Sequence, residues 1–238
     1  MQSRKIEYTD GRIGFIGQLY WDDSHDRSRP GVIVFPEAFG LGDHARQCAE
    51  RLAHRGYMAL AADVIGGGQL FADIQSVAPT MQALYGDRAN WRGRARAALD
   101  VLAAQPQVDA TKIAAIGFCF GGATALELAR SGAPLAAVVT FHAGLLPELP
   151  GDAGRVGARV LICHGADDPL VKREALDAVM DEFRRDRVDW QLIHYGNAVH
   201  SFTEPAAAQR NMPGLAYDAR ADRRSWAAMC ALFDEIFV

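Results

Sequence analysis

The run Gly117-Phe118-Cys119-Phe120-Gly121-Gly122 closes an apolar segment, Lys112–Phe118, and opens a helix-period stretch, Phe120–Arg130. A thiol framed by glycines at such a junction forms the G-x-nucleophile-x-G elbow, with cysteine where serine usually stands. The glycines keep Cβ atoms out of a tight strand-to-helix turn, and the turn lifts Cys119 above the end of the strand. The N-terminal end of the following helix favours negative charge, which suits a thiolate and an oxyanion formed beside it. No G-x-S-x-G occurs in the chain, so no serine competes for the role.

Two more residues fit the same chemistry. Asp168 follows the apolar run Arg159–His164 within His164-Gly165-Ala166-Asp167-Asp168-Pro169-Leu170-Val171. His200 follows Trp190–Tyr195 within Gly196-Asn197-Ala198-Val199-His200-Ser201-Phe202. Each stands just past the carboxyl end of a predicted strand, where ligands gather in open α/β sheets. In this reading Cys119 attacks a carbonyl to form a thioester, His200 relays protons and Asp168 orients the imidazole. The Asp-Pro-Leu-Val spacing favours Asp168 over Asp167, which is left as a turn residue. His142 and His164 lie at strand ends and read as structural groups or pocket walls. His25, His44, His54 and His194 carry no supporting pattern. Cys48, Cys163 and Cys230 read as core thiols.

The elements that must hold these residues alternate short apolar runs with helix-period segments, the pattern of an α/β protein with a mostly parallel sheet. Buried strands are predicted at Gly31–Pro36, Tyr57–Ala61, Lys112–Phe118, Leu135–Phe141, Arg159–His164 and Trp190–Tyr195. Asp43 caps a helix with Ala45, Cys48, Ala49, Leu52 and Ala53 on one face, ended by Gly56. Further helices are read at Trp91–Leu102, Phe120–Arg130, Ala175–Phe183 and about Asp222–Phe237, the last burying Trp226, Met229, Cys230 and Phe233. Thr9-Asp10-Gly11 turns an antiparallel hairpin, Arg4–Tyr8 with Ile13–Tyr20, at the sheet edge. Gly66–Asp87 is the least regular part and reads as an inserted loop or short helix. Asp63 makes turn and helix-start contacts. No repeat or linker divides residues 1–238, so a single domain is expected.

Composition removes several classes. Half of the 238 residues are hydrophobic and 23% are charged, which is globular rather than disordered. Twenty-five basic residues against 29 acidic ones, with no basic block, exclude the electrostatic footprint of a nucleic-acid partner. The uncharged stretch Ser131–Pro147 falls short of the ~20 residues a spanning helix needs, so no membrane partner is expected. Met1-Gln2-Ser3-Arg4-Lys5 lacks an apolar signal region, and the four cysteines lack CxxC spacing. Both point to a cytoplasmic protein with reduced thiols. Without HExxH, CxxC or GxGxxG, no metal and no cofactor are expected.

The chain resembles the dienelactone hydrolase family of α/β-hydrolases over nearly its whole length. The resemblance rests on the cysteine elbow, Pro36-Glu37-Ala38-Phe39-Gly40, His164-Gly165-Ala166-Asp167-Asp168, His200-Ser201-Phe202 and the Tyr217–Trp226 stretch. It implies an α/β-hydrolase fold, a Cys119–His200–Asp168 triad, and Glu37 as an additional active-site carboxylate. In such enzymes that glutamate holds the resting thiol protonated until substrate displaces it. Taken by residue type alone, Glu37 is equally a general base, a shield for the thiol or a helix-terminal charge. The oxyanion hole is expected at the N–H groups of Phe120 and Ala38. Phe39, Tyr85, Phe202 and Glu204 are the expected substrate contacts.

One position departs from the family pattern. Relatives that act on anionic lactones carry an arginine shortly after His-Ser-Phe, and Glu204 stands here instead. A desolvated carboxylate repels an anionic substrate, so neutral or cationic esters and lactones are expected. Arg88, Arg92 or Arg94 would be the alternative clamp. Attack on a neutral phosphotriester is a promiscuous variant of the same machinery. An acyltransferase with the same residues, or a non-catalytic binding protein of this fold, are the alternative functions, in a monomer or homodimer.

Overall fold

Turn chemistry shapes the first element. Asp10 accepts hydrogen bonds from the Arg12 and Ile13 amides, closing a hairpin between β1 (Gln2–Thr9) and β2 (Gly14–Trp21). The two strands pair antiparallel from Gln2↔Trp21 to Thr9↔Gly14, as the turn signal predicts. The computed structural model describes residues 1–23 and 27–237, so His25 lies outside the described residues. The chain divides into two compact units, Met1–Ile116 and Gly117–Val238.

The first unit continues with β3 (Arg29–Phe35), α1 (Asp43–Ala53), β4 (Met58–Ala61), α2 (Ile74–Gly86), α3 (Arg88–Ala103) and most of β5 (Val108–Phe118). Its strand order is β1-β2-β4-β3-β5. β3 and β4 run parallel from Gly31↔Met58 to Val34↔Ala61. Val32, Ile33, Val34 and Phe35 are wholly buried, which is why this strand reads as an unbroken apolar run. The buried residues of α1 are Ala45, Cys48, Ala49, Leu52 and Ala53, the face that its periodicity predicts. The helix starts at Asp43 from a Gly42 cap, and Gly56 follows in a left-handed turn. Beyond β4, the buried Asp63 carboxylate accepts from the amides of Ile16, Ile65, Gly66 and Gly68. Those are turn contacts; no helix begins there. Part of the irregular stretch is a 13-residue helix, α2, opened by a capping box between Asp73 and Ser76 and held by Val77, Met81 and Leu84.

The second unit holds the end of β5, then α4 (Phe120–Arg130), β6 (Ala137–Phe141), β7 (Arg159–Gly165), α5 (Arg173–Asp186), β8 (Trp190–Tyr195) and α6 (Ala219–Ile236). β6, β7 and β8 are parallel neighbours in that order. All eleven residues of α4 are buried. α6 begins earlier than its apolar pattern suggests, at a cap where Asp218 accepts from the Arg220 and Ala221 amides. Its buried face runs through Ala221, Ser225, Met229, Cys230 and Phe233, leaving Trp226 only half-buried, one position off that face. Among the described residues, no helix is long and apolar enough to cross a membrane.

Candidate active site

The elbow at the head of α4 is built by steric necessity. A Cβ at Gly117 would lie 2.0 Å from the Gly121 carbonyl oxygen, so only glycine lets the strand fold back onto the helix. Cys119 takes φ 53 and ψ −114, a strained backbone for a residue with a side chain. Its amide is tied to Phe141 O at 3.0 Å, and its own carbonyl accepts from Gly122 N at 3.1 Å. Of the four cysteines, Cys119 alone is not buried. The Phe120 amide belongs to the first turn of α4, the end of the helix that carries partial positive charge.

Asp168 and His200 meet within the same unit. Asp168 Oδ2 is 2.7 Å from His200 Nδ1, and both side chains are nearly solvent-free. The other carboxylate oxygen accepts from Leu170 N at 2.8 Å, fixing the acid in its turn. Asp167, by contrast, is exposed. The backbone of His200 is held on both sides, His200 N on Gly214 O and Ala216 N on His200 O, each at 3.1 Å. With Nδ1 on Asp168, the other imidazole nitrogen is Nε2. Nε2 is buried and makes no hydrogen bond of standard geometry. Burial pulls the His200 pKa down, but the nearby Cys119 sulfur and Asp168 together push it up to about 10.

The remaining histidines of this unit are structural neighbours of that pair. His142 is fully buried, with Nε2 2.8 Å from the Thr203 hydroxyl. His164 is buried beside His194, ring centroids 5.4 Å apart. Burial lowers its pKa, and the charges of His194 and His200 add to that against the opposing pull of Asp168. Cys163 is buried too, which raises its pKa to about 12 despite a 3.7 Å contact from the Tyr195 hydroxyl. It is an inert core thiol, as its place in an apolar strand suggests.

In the first unit, the Pro36–Gly40 segment leaves β3 through a turn at Ala38–Phe39. Ala38 is buried and Phe39 half-buried, with Phe39 O accepting from Phe71 N at 2.9 Å. Glu37 Oε1 lies 2.5 Å from His44 Nδ1, with both side chains largely buried. Burial lowers the His44 pKa, but Glu37 and then Cys48 outweigh it and raise it to about 11. His44 is the residue that sequence reading passes over. Tyr85 is exposed on α2, its ring edge-on to the fully buried Trp91 at 5.4 Å. Arg94 Nη1 donates to Val64 O and Ile65 O, so this arginine is engaged in holding the loop after β4.

The family model of the dienelactone hydrolase family matches residues 17–237. The chain belongs to that family. A solved structure described as a dienelactone hydrolase-like promiscuous phosphotriesterase, P91 from metagenomic libraries, is 63% identical. It superposes with a TM-score of 0.98 over 100% of this chain and 99% of its own. A putative carboxymethylenebutenolidase of Yersinia pestis is 28% identical over 76% of this chain and 71% of its own length. An uncharacterised Caenorhabditis elegans protein is 37% identical over 60% of this chain and 92% of its own. The expected fold is therefore borne out: an α/β-hydrolase with a mostly parallel eight-stranded sheet and an N-terminal antiparallel hairpin. The protein is a hydrolase of the dienelactone hydrolase type.

Against that family background, two expected substrate contacts look different from one another. Phe202 has no exposed surface and packs edge-on to His142 and against Tyr195, as a core ring does. Glu204 is half-buried at the end of the His200 turn, where its Oε1 accepts from Ala206 N at 3.0 Å.

Proposed function

We propose that this dienelactone hydrolase-type protein cleaves small ester and lactone bonds by covalent cysteine catalysis. The Cys119 thiolate attacks the carbonyl carbon, and the developing oxyanion is held at the head of α4 by the Phe120 amide. As the tetrahedral adduct collapses, the C–O bond breaks and the leaving alkoxide takes a proton from His200 Nε2. Water then gives a proton to the same nitrogen as it attacks the thioester. The acid is released and Cys119 returns as thiolate beside imidazolium. Asp168 keeps Nδ1 protonated throughout and stabilises that cation. The observation that carries this reading is the buried Asp168–His200 pair, with the Cys119 sulfur near enough to help raise the His200 pKa.

Glu37 is the additional carboxylate that the family resemblance implies, and within its own unit it is paired with His44. Glu204 supports a preference for neutral substrates, because its carboxylate disfavours an anion at the end of the His200 turn.

The test is turnover of p-nitrophenyl acetate by wild type and Cys119→Ala, with mass spectrometry of acid-quenched wild type. The expected result is an acetyl adduct on the Cys119 peptide and no turnover above background in the variant. Undiminished hydrolysis by Cys119→Ala would end the cysteine mechanism.

A second activity follows from the likeness to a promiscuous phosphotriesterase. The same thiolate attacks the phosphorus of a neutral aryl dialkyl phosphotriester, expelling the aryloxide to leave a phosphorylated thiol that water must clear. Release of one aryloxide per Cys119, followed by slow turnover, is the expected signature. No release above a Cys119→Ala control would exclude it.

A further inference from the structure

β6 ends at Phe141, and the next residue, His142, holds a left-handed backbone at φ 40 with its amide on Cys163 O at 2.9 Å. A non-glycine residue there carries a conformational cost that its surroundings must overcome, and such residues concentrate at functional sites. Its side chain is fully buried, with the Phe118 ring 6.1 Å away on one side and the turn that carries His200 on another. Nε2 lies 2.8 Å from the Thr203 hydroxyl. The ring centroid is 5.2 Å from that of His200 at an interplanar angle of 61°, and 5.1 Å from Phe202 at 83°. One imidazole thus touches His200, Phe202 and Thr203, and the residue between them, Ser201, is itself left-handed at φ 59.

The Asp168 hydrogen bond fixes the His200 ring at a single atom, Nδ1. A ring held at one point still tilts about that contact, and a tilt carries Nε2 away from the elbow. A second contact against the ring plane removes that freedom. His142 supplies it, and the Thr203 hydroxyl prevents His142 from rotating in turn. A purely space-filling role would be met by an apolar side chain, without a buried nitrogen that needs a partner.

We propose that His142 is a positioning residue for His200, holding its imidazole plane and the Ser201–Thr203 turn so that Nε2 stays directed at Cys119. The inference rests on the Cys119–His200–Asp168 reading above.

The test compares His142→Phe, Thr203→Val and Thr203→Ser. Phenylalanine keeps a ring and loses the nitrogen; valine keeps the shape of threonine and loses the hydroxyl; serine restores the hydroxyl. The readouts are kcat and KM for p-nitrophenyl acetate, the pH profile of Cys119 alkylation by iodoacetamide, and melting temperature. His142→Phe and Thr203→Val are expected to lower kcat about 10- to 100-fold with little change in KM. Their alkylation profiles should shift as the thiol loses its imidazole partner, and Thr203→Ser should recover kcat to within about threefold. Folded variants with kcat within about twofold of wild type and an unmoved alkylation profile would overturn the positioning role. Cys119→Ala, run alongside, separates the two readings. Its inactivity leaves the triad standing while the His142 result is judged, and its full activity overturns both. If His142→Phe does not fold, Thr203→Val, a change of one hydroxyl for a methyl, decides the matter in the same way.

Discussion

His44 Nδ1 stands 2.5 Å from Glu37 Oε1, and the two side chains are only 10% and 13% exposed. The partner of Glu37 in its own unit is thus a histidine in the first turn of α1. A pair so placed stabilises the fold only while the imidazole is charged. The His44 pKa is raised from an ordinary 6.5 to about 11, because the carboxylate outweighs burial. The stabilisation is therefore complete below pH 6.5 and is lost as pH rises through about 11.

Urea denaturation of wild type is expected to show falling stability between pH 7 and pH 10 from this source, and His44→Gln should flatten the slope. At pH 7 the variant should lose roughly 3 kcal/mol, the cost of leaving a largely buried charge without its partner. An unchanged slope in His44→Gln would assign the pH dependence elsewhere.

Asp168→Asn keeps the shape of the acid and its place on the Leu170 amide, but cannot hold His200 Nδ1 protonated. The imidazole then takes the wrong tautomer, with Nε2 protonated and unable to accept from the thiol. Turnover of p-nitrophenyl acetate should fall on the order of 10³- to 10⁴-fold with KM little changed. The melting temperature should move by only a few degrees. Equal kcat in the two proteins would remove Asp168 from the machinery.

Arg130 lies at the far end of the elbow helix from Cys119 and is almost wholly buried. Its guanidinium donates to both Glu182 oxygens at 2.9 and 2.5 Å, to Glu127 at 2.9 Å and to Leu146 O at 3.0 Å. The network pins α4 to α5 through four hydrogen bonds from one guanidinium, two of them to Glu182. Arg130→Met should cost roughly 3–5 kcal/mol by leaving two buried carboxylates unpaired. Glu182→Met should do the same from the other side. Their double variant, measured by chemical denaturation, should lose much less than the two losses added together.

How far the sequence could be read depended on whether the information was local. The elbow was legible because glycine, cysteine and glycine sit next to one another at a strand end, and the packing at Gly117 leaves no alternative to glycine. Asp168 and His200 were legible because each follows an apolar strand directly. The α1 face was legible because helical period and burial coincide. What was not legible is tertiary. Glu37 and His44 lie seven residues apart on no common element, so nothing in their spacing announces a pair. His142 and Thr203 are 61 residues apart and meet only because the turn after β8 folds back to the end of β6. The burial of Phe202 and the half-exposure of Trp226 depend on the set of one turn and on the phase of one helix, which composition does not specify.

Glu204 offers the sharpest test of substrate class. Its neighbours in sequence, His200 to Phe202, carry the pattern on which the family resemblance rests, while an acid stands where that resemblance leads to the expectation of an arginine. The side chain is half-buried, so water screens it incompletely and its sign matters to any group that approaches the His200 turn. The Ala206 N contact to its carboxylate is a local turn bond, and the loss of that bond should cost little. Glu204→Arg is therefore expected to fold. It should raise kcat/KM for an anionic dienelactone about 10-fold or more, by replacing repulsion with attraction. For p-nitrophenyl acetate, which carries no charge, the same substitution should change kcat/KM by less than about threefold. The ratio of the two activities is the decisive quantity, since a general loss of function would lower both together. If the ratio is unmoved, Glu204 does not face the substrate, and the selectivity of this hydrolase lies in another residue.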